Sequence, residues 1–331
     1  DQRIKYFSMK IRDPDLSNDP LQKEHAEVGL PQLEAGTFQG EKHPFLFLFC
    51  WIAGFCMLLV LVFLVSKFIQ SNGTNSFSIL LDIFVTPEFW KALVIGFLAQ
   101  VIDGALGMAY GISATSFLLS TGSSPAVASA SVHIAAVFTT GLSGISHVNL
   151  GNVSKDLFIR LLIPGIIGAL FGVLLVTQID MDIFKPIMCA YLLVMGLIIV
   201  KKAFKKKSQQ LSSNTSNIGK LAFFGGFVDS AGGGGWGPIV TTNLLGKGQD
   251  PRSTIGSVNF AEFFLTLSTA GFFTIFVTAS PWISVAGLVV GGLFAAPFAA
   301  LLCRKIPPKI LMIIVGLVVC VVSMFTLVQV L

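Results

Sequence analysis

Charge is the scarcest ingredient of this chain. Only 12% of its 331 residues are Asp, Glu, Lys or Arg, against 53% apolar residues and a mean hydropathy of +0.81. A water-soluble fold of this length needs charge to cover its surface, so the composition excludes one. Cysteine is sparse as well. Cys50, Cys56, Cys189, Cys303 and Cys320 stand apart in or beside apolar runs, with no CxxC spacing and no neighbouring histidine. That pattern excludes a disulfide framework and a zinc or redox centre, and leaves the five as small apolar residues in helices. His25, His43, His133 and His147 are equally scattered, and neither Gly-x-Ser-x-Gly nor His-Glu-x-x-His occurs. Hydrolase and metalloprotease chemistry therefore lack their residues, and no enzyme activity, metal or cofactor is expected. The net charge of +5 is dispersed through short segments between apolar runs, which excludes a nucleic-acid face and reads as membrane topology.

What the chain has in abundance is apolar length. A bilayer span needs about 20 apolar residues. Segments 45–68, 156–176, 183–200, 281–302 and 308–330 satisfy this plainly, and 125–146 and 252–279 do so with a few polar groups. Residues 1–44 mix acids, bases and prolines without an apolar core and cleavage site, so they are predicted to be a polar cytoplasmic tail rather than a secretory signal. Two further stretches, 89–120 and 219–246, are interrupted by Asp103-Gly104-Ala105-Leu106-Gly107 and by a run from Asp229 through Gly232, Gly233, Gly234 and Gly235 to Gly237-Pro238. Glycine costs about 1 kcal/mol per helical site and proline more, so each is a broken span or a re-entrant hairpin.

Basic residues choose between these. Lys201, Lys202, Lys205, Lys206 and Lys207 place the linker 201–218 in the cytoplasm. A single crossing at 219–246 would strand Arg304, Lys305 and Lys309 outside, whereas a hairpin returns them inside. The expectation is seven full spans and two hairpins, with the N-terminus inside and a bacterial inner (plasma) membrane location.

The two interrupted stretches are copies. Shifting the chain by 126 residues aligns Asp103–Thr140 with Asp229–Thr266 without a gap, with 14 identities in 38 positions, including Gly107 with Gly233, Gly111 with Gly237 and Pro125 with Pro251. The first repeat covers 87–200 and the second 219–331, each a hairpin plus three spans, with 45–68 an extra N-terminal transmembrane helix. Three spans per unit invert the second copy relative to the first. The predicted fold is thus an all-α integral membrane protein built as an inverted repeat, the signature of a secondary transporter with its site near the midplane. A passive anion channel is the competing reading, and would need a continuous pore lining.

The paired motifs, each followed by a short helix, a Gly-x-x-Pro turn (Gly122 to Pro125, Gly248 to Pro251) and a Ser-Val-containing span, resemble the TauE/SafE family of sulfite and organosulfonate exporters over about residues 87–330. The resemblance implies export of sulfite, sulfoacetate or a related anion, coupled to the proton gradient. The first repeat departs from the pattern: it has Gly107-Met108-Ala109-Tyr110-Gly111 where the second has four successive glycines, so the half-sites should differ chemically.

Helices that begin at membrane depth present unpaired N–H groups and a positive dipole end. Gly107 and Gly111, with Gly233, Gly234, Gly235 and Gly237, could cradle an anion, aided by Ser113, Thr115, Thr241 and Thr242. Ser131, Ser257 and Asn259 are further uncharged donors. Close helix packing is the alternative use of those glycines. Asp103 and Asp229 could carry protons or cap the helices that follow. His133 and Glu262, whose repeat counterparts are Asn259 and Ala136, are the other proton-carrier candidates. The expected partners are thus a small anion, protons and the lipid bilayer.

Overall fold

The computed structural model describes residues 43–72, 85–106, 108–204, 217–247, 249–277, 282–303 and 308–331. The tail to residue 42, most of the linker 201–218 and Gly107 lie outside them. Every regular element described is helical. Helix α1 is Pro44–Asn72, α2 Pro87–Leu106, α3 Tyr110–Ser120, α4 Pro125–Asn149, α5 Lys155–Gln178 and α6 Met181–Phe204. The second half contributes α7 Ile218–Gly232, a π turn Gly237–Thr241, α8 Thr242–Gly246, α9 Pro251–Phe276, α10 Trp282–Cys303 and α11 Pro308–Val330. Among the described residues six helices are long and apolar enough to cross a bilayer, in α1, α4, α5, α6, α9 and α11. Trp51 is 80% exposed and Phe325 59%; faces of that kind suit lipid rather than water.

Corresponding residues start corresponding helices. Ser124 accepts the Val127 amide through its side chain, with Pro125 in the first turn of α4. Asp250 accepts the Ser253 amide, with Pro251 in the first turn of α9. A side-chain acceptor followed by proline satisfies one orphan N–H and dispenses with another.

Both interrupted stretches break where the glycines fall. Gly233, Gly234 and Gly235 have φ of +67°, +153° and +157°, and the counterpart of Gly235 in the first half, Ala109, sits at +100°. L-residues rarely adopt such φ, so α7 cannot run on into the helix beyond it. Pro238 lacks an N–H, and the chain resumes as a π turn before α8.

Packing follows the repeat. Helix α2 lies along α10, with Phe89 against Gly287 and Leu93 against Gly291. Its equivalent α7 lies along α5, the counterpart of α10, with Phe223 against Gly168 and Phe227 against Gly172. In both pairs the numbers rise together, so the partners run parallel, backbone to backbone over glycine. Helices α4 and α9, themselves counterparts, meet the other way round: Gly141 lies against Phe263 and Gly144 against Phe260. Helices α6 and α11 do the same, Gly196 touching Cys320 and Val200 touching Gly316. These two pairs of corresponding helices are therefore antiparallel. Thr140 and Thr266, equivalent positions in the aligned repeats, approach each other to 3.4 Å between hydroxyls.

The same contacts fix the sides. The start of α9 meets the α4–α5 turn, where the Ser154 amide donates to Ser257 Oγ at 2.8 Å. That end of the bundle also holds the end of α6 and the start of α7, so α7 and α8 enter and leave on one side. Phe63 of α1 stacks edge-on to Trp282 at the far end, where α2 begins and α4 starts. Helices α2 and α3 enter and leave there.

Candidate functional site

The two breaks meet at the centre of the bundle. Cβ atoms have no room at the crossing: one added to Gly111 would lie 2.7 Å from the Gly234 Cα. Thr115 Oγ1 donates to the Gly233 carbonyl, and Tyr191 Oη to the Gly234 carbonyl at 2.6 Å. These two bonds satisfy carbonyls that the break of α7 leaves without helical partners.

The aspartates cap the resuming helices through the same pair of atoms. Asp103 Oδ1 accepts the Tyr110 amide at 3.3 Å, and Asp229 Oδ1 accepts the Trp236 amide at 2.9 Å. Each bond spans seven residues. The capping role read from the sequence is what the Oδ1 atoms perform, and it occupies an amide that the anion-cradle reading had left free.

Asp229 does more. Its Oδ2 lies 3.0 Å from His133 Nε2, a buried pair reaching from one repeat into the other. His133 Nδ1 lies 2.8 Å from the Ser129 carbonyl, while the Ser129 hydroxyl donates to the Ser230 carbonyl at 2.6 Å. With that hydroxyl proton committed, Nδ1 must be the donor to Ser129 O. A neutral imidazole then has only a lone pair at Nε2, and a carboxylate cannot donate to it. The pair is a hydrogen bond when a proton lies between Nε2 and Oδ2.

A small cavity of about 20 Å³ opens beside this pair, lined by Gly111, Gly233, Gly234, Gly235 and Gly237, by Met108 and Tyr110, and by Asp103, Asp229, His133 and Glu262. All four proton-carrier candidates therefore face one space, together with the described cradle glycines. The predicted hydroxyl ligands do not. Ser131 donates back to the Val127 carbonyl at 2.7 Å, Ser257 pairs with Ser154, and Asn259 Nδ2 donates to Ser143 Oγ at 3.2 Å. Thr242 accepts from Lys202 at 3.1 Å. Ser113 and the buried Thr241 also lie outside the lining. With no water in the hydrocarbon region, such groups turn to partners within the protein, though Thr241 Oγ1 has none among the described residues. Thr140 and Thr266 line the cavity instead, their hydroxyls donating to the Ala136 and Phe263 carbonyls; two tyrosines were missed, Tyr110 in the lining and Tyr191 through its bond to Gly234. The Thr140–Thr266 identity in the aligned repeats was the available signal; Tyr191 had none, since its counterpart is Leu317.

Among the described residues no cluster of His, Cys, Asp and Glu is arranged to hold a metal ion. The sequence profile described as "Sulfite exporter TauE/SafE" matches residues 92–326. The "Probable membrane transporter protein YtnM" of Bacillus subtilis (strain 168) is 43% identical over 245 residues, covering 71% of this chain and 81% of that protein. No solved structure matches.

Proposed function

Because the chain belongs to the sulfite exporter TauE/SafE family, and is a membrane transporter rather than an enzyme, we propose that it exports a small sulfur-containing anion, sulfite or an organosulfonate such as sulfoacetate, by proton-coupled alternating access. The observation that carries this reading is the central cavity, where glycine backbone from both breaks meets Asp103, Asp229, His133 and Glu262. The glycine backbone of the two breaks, which lines that space, receives the oxyanion. Proton uptake and release at the His133–Asp229 pair and at the carboxyls of Asp103 and Glu262 supply the coupling. Carboxylates crowded about one space in hydrocarbon repel each other and any anion, and protons relieve both costs.

The antiparallel pairing of α4 with α9 and of α6 with α11 supports an inverted repeat, in which one half rocks against the other about the central site. The linker side, which carries Lys201 and Lys202, is the cytoplasmic side of a bacterial inner membrane, and α1 starts there.

Sulfite and sulfoacetate flux in proteoliposomes under an imposed pH gradient tests the proposal, with counterflow of labelled against unlabelled anion as the sign of a carrier. Saturable, gradient-driven flux that disappears in Asp229→Asn is the expected result. Flux that ignores the gradient, or no counterflow, overturns the coupled-carrier reading.

A further inference from the structure

Thr242 of α8 and Ser116 of α3 are counterparts, 126 residues apart. Each is tied to the last helix of the other repeat. Lys202 Nζ, in the last turn of α6, donates to Thr242 Oγ1 at 3.1 Å and reaches Met108 Sδ at 3.4 Å. On the opposite side the hydroxyls of Ser116 and Ser323, the latter in α11, lie 3.2 Å apart. Two inter-repeat links, one at each of these counterparts, thus stand on either side of the central cavity.

We infer that these links are the two gates of the transport path, Lys202–Thr242 on the linker side and Ser116–Ser323 on the far side. The inference rests on the alternating-access reading above and adds residues to it. Each link joins the outward-leading helix of one hairpin to a wall helix of the other repeat. Any relative movement of the halves that opens a path along that hairpin must break it. Met108 touches the Lys202 ammonium and also lines the cavity, so one thioether separates the charge from the substrate space.

The gates differ in chemistry although Thr242 and Ser116 correspond. The counterpart of Lys202 is Val328, and that of Ser323 is Leu197. One mouth therefore carries a cation and the other a neutral hydroxyl pair. A cation in a low-dielectric mouth concentrates anions there. Lys202 makes the linker side the loading side, and the far side, with no charge in its gate, the releasing side.

Accessibility separates this assignment from the substrate assignment, because it requires no transported anion. A single reporter cysteine replaces the cavity-lining Ala136 in a chain whose native cysteines are changed to serine or alanine. A small membrane-impermeant methanethiosulfonate is applied to oriented vesicles from one side at a time. Lys202→Met should raise the labelling rate several-fold from the linker side only, and Ser323→Ala should raise it from the far side only. Thr242→Val should reproduce Lys202→Met, and the two together should add nothing to either alone, as partners in one link do. Labelling that rises from both sides, from the wrong side, or not at all overturns the gate assignment. So does additivity between Lys202→Met and Thr242→Val. A mistaken anion would appear as absent flux and leave this labelling pattern intact.

Discussion

Asp229 accepts the Trp236 amide through Oδ1 and meets His133 through Oδ2, so its two functions can be separated by substitution. Asparagine keeps an oxygen for the amide but cannot share a proton with the imidazole. Asp229→Asn should unfold at a temperature close to that of the native chain while losing gradient-driven flux. Asp229→Ala should lose flux and in addition about 1 kcal/mol of stability, the usual worth of a cap. Thermal unfolding in detergent, run beside the flux assay, checks both. The glycines differ among themselves in the same testable way. A Cβ on Gly234 would lie 2.8 Å from Gly111 Cα in a backbone at φ +153°, whereas one on Gly271 in α9 meets nothing within 4 Å. Gly234→Ala should abolish flux and lower the unfolding temperature. Gly271→Ala should leave flux intact and stabilise, by about 0.5–1 kcal/mol at most, through the better helix propensity of alanine.

The helices were legible because a span is announced by its composition. Segment 125–146 was expected and Pro125–Asn149 is found; 183–200 was expected and Met181–Phe204 is found. The differences are polar end residues such as Lys201 and Lys202 that continue a helix beyond its apolar stretch. The breaks were legible from glycine and proline. Side-chain direction was not, because helices apolar all round carry no amphipathic stripe to say which face looks inward. Thus Asp103, Asp229, His133 and Glu262 were found through charge at membrane depth, while Ser131, Ser257 and Asn259 were equally polar and turned elsewhere. Close packing between elements yields its own expectation. At Gly168 an added Cβ would run into the Phe223 backbone, whereas at Gly219 its only neighbour among the described residues is Pro164 Cγ at 3.6 Å. Gly168→Leu should force α5 from α7 and cut the yield of monodisperse protein on size exclusion in detergent. Gly219→Ala should leave that yield unchanged.

Across the whole molecule, antiparallel counterparts put the α4–α5 turn and the linker at one end of the bundle and the α3–α4 turn at the other. Cysteines introduced at Leu150 and at Thr121, both exposed, should accordingly be labelled by an impermeant reagent from opposite sides of oriented vesicles. Labelling of both from one side would refute the inverted arrangement. The crossing of Gly111 with Gly234 gives this architecture a mechanical reading. Two α-carbons in contact form a fulcrum with no side chain to catch. Ser116 lies five residues along α3 from Gly111, a lever arm of about 7–8 Å. A tilt on the order of 10° about that fulcrum carries its hydroxyl roughly 1.3 Å, within the range of helix shifts that switching proteins use. Added to the 3.2 Å separation from Ser323, that displacement takes the pair beyond hydrogen-bonding reach. A modest rotation of one hairpin therefore suffices to release the far-side link, without unwinding any helix.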